Sequence, residues 1–203
     1  MAKGIDLPID AGRFVDDIKS AGIDFVARYY RSATSHFPSL SASEAKLLSS
    51  SGLKIVVVWE GASNHVSYFS QTAGANDGTS AYHQAKVIGQ PADSAIYFAV
   101  DYDATAADVA GPIRDYFRGV AAGFAAAGGA NPGYQIGVYG SGAVCRALID
   151  AGLASLGWLA MATGWRDFNA FVDACDILQG EALDLPFDHD SDEADEDYGE
   201  FQV

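Results

Sequence analysis

Four acids stand where apolar runs of this chain end. Asp6 closes the segment Gly4-Ile5-Asp6, and Glu60 follows the run KIVVVW at Lys54–Trp59. Asp101 and Asp103 flank Tyr102 just beyond the run AIYFAV at residues 95–100. If these acids converge, ionised neighbours can hold one carboxyl protonated near neutral pH. Such a group is the general acid that departure of a glycosidic oxygen requires. A second, ionised carboxylate then serves as base, nucleophile or electrostatic stabiliser. Aromatic residues near the same run ends, Tyr30, Trp59, Tyr102, Tyr139 and Trp158, are of the type that stacks on sugar faces. Arg28, Gln179 and Asp188 are polar groups at further run ends and join the candidate substrate-binding set. Each acid alone also has an ordinary reading: Asp103-Ala104-Thr105 looks like a turn before a helix. The joint pattern carries the chemistry.

The elements that must position these residues alternate along the chain. Strand-like runs fall at residues 4–7, 24–30, 54–59, 95–100, 135–139, 156–161 and 176–179, with an eighth expected within 182–188. Helical spacing fills the gaps near residues 11–21, 41–51, 78–88, 107–127, 143–151 and 168–174. Ser41 with Glu44 three residues later is a capping-box signature for a helix start. Strands alternating with helices imply parallel βαβ units. The first strand lacks a glycine-rich phosphate turn, which argues against an open dinucleotide-binding sheet. Eight strands argue for closure, so the expected fold is α/β, a single TIM-like (β/α)8 barrel. Its 203 residues are few for a fold of typically ~250, and no helix fits between strands seven and eight. The barrel is therefore expected to be abbreviated in its last third. In such a barrel functional groups gather at the C-terminal ends of the strands, where the acids above lie. Asp101 and Asp103, two residues apart on an extended strand, are expected to point the same way.

The formal charge of −15 argues against a nucleic-acid partner, which needs a basic face. No apolar run is long enough to span a bilayer, so membrane insertion is not expected. The charge is uneven. No Lys or Arg follows Arg166, and acids crowd the last twenty residues. The expected organisation is thus a barrel over residues 1–190 and an acidic tail over 191–203. Cys145 and Cys175 match no zinc spacing and read as buried thiols. The first residues run directly into a strand with no signal-peptide pattern, which leaves the location open, with action at a cell wall or outside the cell as one option. His36, His65 and His83 read as surface residues.

Other chemistries have weaker signatures. Asp6, Glu60, Asp101 and Asp103 could offer oxygen ligands to Mg²⁺ or Ca²⁺, but neither His-x-His nor His-Glu-x-x-His occurs. Tyr139-Gly140-Ser141-Gly142 has the wrong order for a serine nucleophile elbow. No cofactor is implied.

The segments Gly4-Ile5-Asp6, FVARYY at Phe25–Tyr30, LKIVVVWE at 53–60 and IYFAVDYD at 96–103 resemble bacterial glycoside-hydrolase-like domains, distant relatives of the Chalaropsis-type lysozymes, which are muramidases. IGVYGS at 136–141, Trp158-Leu159-Ala160 and Ile177-Leu178-Gln179 continue the match over nearly the whole chain. The resemblance implies a β/α barrel, a carboxylate site at Asp6, Glu60, Asp101 and Asp103, and a glycan polymer such as peptidoglycan as substrate or ligand. One departure stands out. The lysozymes end their fourth strand in Asp-x-Glu, where the Glu is the catalytic acid. This chain has Asp103, one methylene shorter, at a distance scale where ~1 Å of misplacement can cost ~10²-fold. Either Glu60 takes the acid role, or the domain binds glycans without cutting them.

Overall fold

The structure is a computed structural model in which residues 1–32, 34–129 and 133–203 are described. Eight strands close a barrel in sequence order: β1 (Ala2–Asp6), β2 (Phe25–Tyr30), β3 (Lys54–Trp59), β4 (Ala95–Ala99), β5 (Gln135–Gly140), β6 (Leu156–Leu159), β7 (Ile177–Gly180) and β8 (Asp190–Ala194). β1 to β7 pair in parallel with their neighbours. The crossovers carry α1 (Val15–Ser20), α2 (Ala42–Ser50), α3 (Gln71–Ile88), α4 (Ala106–Asp108), α5 (Arg114–Gly128), α6 (Gly142–Asp150) and α7 (Phe168–Phe171). A π-helical turn at Val109–Ile113, containing Pro112, joins α4 to α5. The expected barrel with its compressed last third is present.

Strand eight differs from the expectation in place and direction. It begins at Asp190 rather than lying within 182–188, and it runs antiparallel to both β1 and β7. The reason is the length of the connection. A parallel strand needs a crossover of a dozen or more residues, and only residues 181–189 separate β7 from β8. The chain leaves β7 at the rim and turns straight back down. The segment read as a solvated acidic tail therefore closes the barrel. Asp192 and Ala194 are buried, while Glu193 between them is exposed. Residues beyond β8 cross the opposite end: Ala95 N–H donates to Gly199 O, and Ile55 and Phe201 exchange backbone bonds. Tyr198 and Phe201 are buried there. The acidic composition hid a strand whose alternation is short but regular.

Two layers of core follow from the period of two along each strand. Phe25, Ala27, Val56, Val58, Tyr97, Ala99, Leu156, Trp158 and Ile177 fill the barrel interior. Val26, Ile55, Val57, Ile96 and Phe98 face the helices. Glycines make room for the large interior rings. A Cβ on Gly4 would lie 2.1 Å from the Phe25 ring, and one on Gly137 would lie 2.4 Å from Tyr97.

α3 and α5 follow the two central acid-bearing strand ends, and they approach each other on matched glycines. A Cβ at Gly74 would stand 1.9 Å from Tyr116 O, and one at Gly119 would stand 2.1 Å from Gln71 O. Gly78 and Gly123, four residues on, repeat the contact. Backbone oxygens cannot move aside as a flexible side-chain end can. Gly74→Ala and Gly119→Ala are each expected to lower the unfolding free energy by about 1–3 kcal/mol, as overpacking does. Urea unfolding of the two variants against wild type measures this.

Candidate active site

A cavity of about 340 Å³ opens at the end of the barrel where β1 to β7 finish. Asp6, Glu60, Asp101 and Asp190 line it. Its walls are Tyr29, Tyr139, Trp158, Met161 and Trp165, with Gln179 beside Asp6. Each acid arrives by a local rule. Asp6 is the last residue of β1 and continues the inward face of Gly4. Glu60 directly follows β3, one step past Trp59 and on the opposite face. Asp101 is tied to the β3 loop by its own N–H, which donates to Ser63 O at 2.9 Å. Asp190 opens β8, so the reversed direction of that strand puts its first residue at the rim, opposite Asp6 in register.

Asp6 is the most enclosed of the four, at 3% exposure. Its Oδ1 accepts from Tyr29 Oη at 2.7 Å and its Oδ2 from Gln179 Nε2 at 2.8 Å. Gln179 Oε1 accepts in turn from Tyr139 Oη at 2.9 Å and from Met161 N at 3.3 Å. The chain of bonds fixes the carboxylate of β1 against β2, β7 and β5. Burial pushes the Asp6 carboxyl up to about 6, against the lowering effect of the Gln179 and Tyr29 bonds. Burial also raises Glu60, where the Arg31 guanidinium at 2.8 Å pulls in the other direction and the charge of Asp101 adds to the rise. Asp101 and Asp190 are raised by burial as well. Arg31 itself stacks over the Tyr29 ring, 4.3 Å from its centre.

One layer beneath Asp6, Asp192 faces the barrel interior in register with Gly4 and Gln179. It is 2% exposed, and neither carboxyl oxygen has a hydrogen-bond partner among the described residues. Burial and the charge of Asp6 drive its pKa well up, with the Trp158 indole offsetting part of the rise. A buried carboxylate without a charge partner is costly as an anion, so burial favours the protonated form of Asp192.

Several residues expected at the site lie elsewhere. Arg28 points outward from β2. It is fully buried, pairs with Glu44 at 2.6 Å and donates to Leu7 O at 2.8 Å. Tyr30, on the same outer face, donates to Gln90 Oε1 at 2.9 Å. Trp59 is likewise outward, in the layer between barrel and helices. In each case the strand's alternation assigns the neighbour, Tyr29 or Glu60, to the cavity. Asp103 does not share a side with Asp101, because extended structure ends at Ala99 and a tight bond from Ala104 N to Tyr102 O turns the chain. Its Oδ1 accepts from Arg166 N at 2.9 Å, outside the cavity. Tyr102 packs toward Phe69, and Asp188 is an exposed loop residue. Asp6, Glu60, Asp101, Tyr139, Trp158 and Gln179 do line the cavity or its floor. Sequence reasoning passed over Tyr29 and Asp190 at the strand ends in favour of their neighbours, and missed Arg31, Met161, Trp165 and the buried Asp192. The alternation of β2 could have found Tyr29; the others depend on loop paths and on the direction of β8.

Both cysteines are free and buried. Among the described residues no group of three or more His, Cys, Asp or Glu side chains is placed to hold a metal ion, and no helix is long and apolar enough to cross a membrane.

Burial pushes the carboxyls of Asp6, Glu60, Asp77, Asp101, Asp176, Asp190 and Asp192 above the ordinary carboxylate range. The folded state therefore binds more protons than the unfolded chain above the ordinary carboxylate range, and stability falls as pH rises through the folded values. Denaturant midpoints are expected to be higher at pH 5 than at pH 8. Asp6→Asn should flatten that slope most between pH 4 and 6.

Residues 16–183 match the family described as Rv2525c-like, glycoside hydrolase-like domain. YbfG of Bacillus subtilis is 34% identical over 125 residues, which are 60% of this chain and 17% of that protein, so the chain spans about a sixth of this relative's length. The crystal structure of the Tat-secreted protein Rv2525c of Mycobacterium tuberculosis, in complex with L-tartrate, superposes with a TM-score of 0.77 at 20% identity, covering 98% of both chains. A muramidase from Acremonium alcalophilum superposes with a TM-score of 0.55 at 14% identity, covering 97% of this chain and 95% of that one. With a family match over most of its length and the barrel and rim cavity already described, the chain belongs to the Rv2525c-like glycoside hydrolase-like domain family.

Proposed function

We propose that this domain is a glycosidase acting on an amino-sugar polymer of the peptidoglycan type. The observation that carries the reading is the convergence of four carboxyls with raised pKa values on one aromatic-walled cavity at the barrel rim. Family membership supports the reaction class, and the muramidase among the structures of similar fold supports the polymer. The charge of Asp101 opposes ionisation of Glu60, so one of these two carboxyls can keep its proton while the other is ionised. Arg31 beside Glu60 favours the anion there, which leaves Asp101, with no side-chain partner of its own among the described residues, as the proton donor to the departing oxygen. Asp6, held by Tyr29 and Gln179, is oriented to stabilise positive charge on the sugar or its acetamido group. Asp190 adds to the same field. The Tat-secreted description of Rv2525c fits action outside the cell or at the wall.

A second reading, glycan binding without cleavage, draws on Asp103. It stands where the lysozymes carry their catalytic Glu, and it is turned out of the cavity. Release of reducing ends from peptidoglycan separates the two. Glu60→Gln and Asp101→Asn are each expected to lower turnover by roughly 10²–10⁴-fold, the range for loss of acid–base catalysis, while co-sedimentation with the polymer persists. Binding by wild type with no product release would select the second reading.

A further inference from the structure

Tyr29, Tyr139 and Trp158 of the cavity wall belong to the interior network, but Trp165 does not. It lines the cavity from the segment after β6, and it is part of neither hydrophobic cluster of the core. Trp59 and Trp158 are 3% and 1% exposed, whereas Trp165 is only partly buried. A large apolar ring left outside the core needs a firm support to keep one position. The structure supplies two. On one side, Arg166 N donates to Asp103 Oδ1 at 2.9 Å, and Arg166 Nη1 donates to Asp103 O at 3.0 Å and Ala104 O at 2.7 Å. On the other side, Ala143 N donates to Arg166 O at 3.1 Å, and Gly142 lets the segment lie directly against the start of α6: a Cβ there would meet Asp167 O at 2.2 Å. Asp167 itself sits in left-handed backbone at φ +59°. Within the segment, Trp165 N closes a turn on Ala162 O at 2.9 Å.

We propose that Trp165, with Met161 beside it, is a sugar-stacking subsite next to the carboxyls, and that Asp103 is the positioning residue that holds it through Arg166. The ligand class is an uncharged pyranose, such as an N-acetylated amino sugar, since the apolar face of such a ring suits the indole and the neighbouring acids disfavour an anionic group. The proposal rests on the glycan reading above. It also gives Asp103 a role as an acceptor for a backbone N–H, a role that an amide can fill and a catalytic acid's role cannot.

The experiment compares Asp103→Asn, Asp103→Ala and Trp165→Ala, using β-1,4-linked N-acetylglucosamine pentamer for binding and peptidoglycan for turnover. Asp103→Asn is expected to keep kcat within about threefold, Asp103→Ala to raise KM and the pentamer Kd several-fold, and Trp165→Ala to weaken pentamer binding at least tenfold. Loss of kcat in Asp103→Asn, or unchanged binding in Trp165→Ala, overturns the proposal. A readout without ligand separates the clasp from the function. With 6-fluorotryptophan incorporated, the Trp165 ¹⁹F signal should shift or broaden in Asp103→Ala and hold its wild-type position in Asp103→Asn. An unmoved signal in Asp103→Ala overturns the clasp. Wild-type protein that binds no pentamer overturns the subsite together with the glycan reading, whatever the ¹⁹F spectra show.

Discussion

The nine residues between β7 and β8 are too few to carry the chain back to the far end of the barrel. That constraint organises the rest of the site. The eighth strand must run downward from the rim, and its inward residues, Asp190 and Asp192, fall beside and below Asp6. Three carboxyls then share one side of the barrel, and the interior there becomes polar. Gln179 is the residue that makes this tolerable. Its amide donates to Asp6 and accepts from Tyr139, so one neutral side chain of β7 satisfies groups from two other strands. Asp192 has no such partner among the described residues, and its burial favours the protonated form.

The opposite side of the cavity is built by helix packing. Glu60 and Asp101 sit at the starts of connections to α3 and α5, and the glycine-lined contact between those helices sets how close the connections come. Asp77 on α3 reinforces it by accepting from both Tyr68 and Tyr116 hydroxyls. The two halves of the site thus rest on different physics. The Asp6 side depends on strand direction and a hydrogen-bond chain, and the Glu60 side depends on backbone contact between helices. Enclosing acids in this way works against stability, as functional sites commonly do.

Much of this was legible in the residues. The apolar runs ending in Asp6, Glu60 and Asp101 gave the barrel and three of its four rim acids. The errors have common causes. Arg28, Tyr30 and Trp59 are chemically attractive, yet the period of two puts them on the outer face, and only the knowledge of which neighbour faces inward decides this. Asp103 fails because alternation stops where the strand stops. Asp190 and Asp192 were obscured by a local composition that resembles a solvated tail, since strand propensity is low for Asp and the burial comes from tertiary pairing. Trp165 lies on a loop whose path follows from contacts with Asp103 and α6, which no local pattern encodes.

The direction of β8 buries Asp192 beneath a hydrogen-bonded Asp6, where the protonated form is favoured. Side-chain carboxyl ¹³C resonances, followed by NMR from pH 3 to 9 and assigned with Asp6→Asn and Asp192→Asn, test it directly. Asp6 is expected to titrate near pH 6, and Asp192 to keep its proton through neutral pH. Titration of both at the ordinary aspartate value of about 3.9 would contradict it.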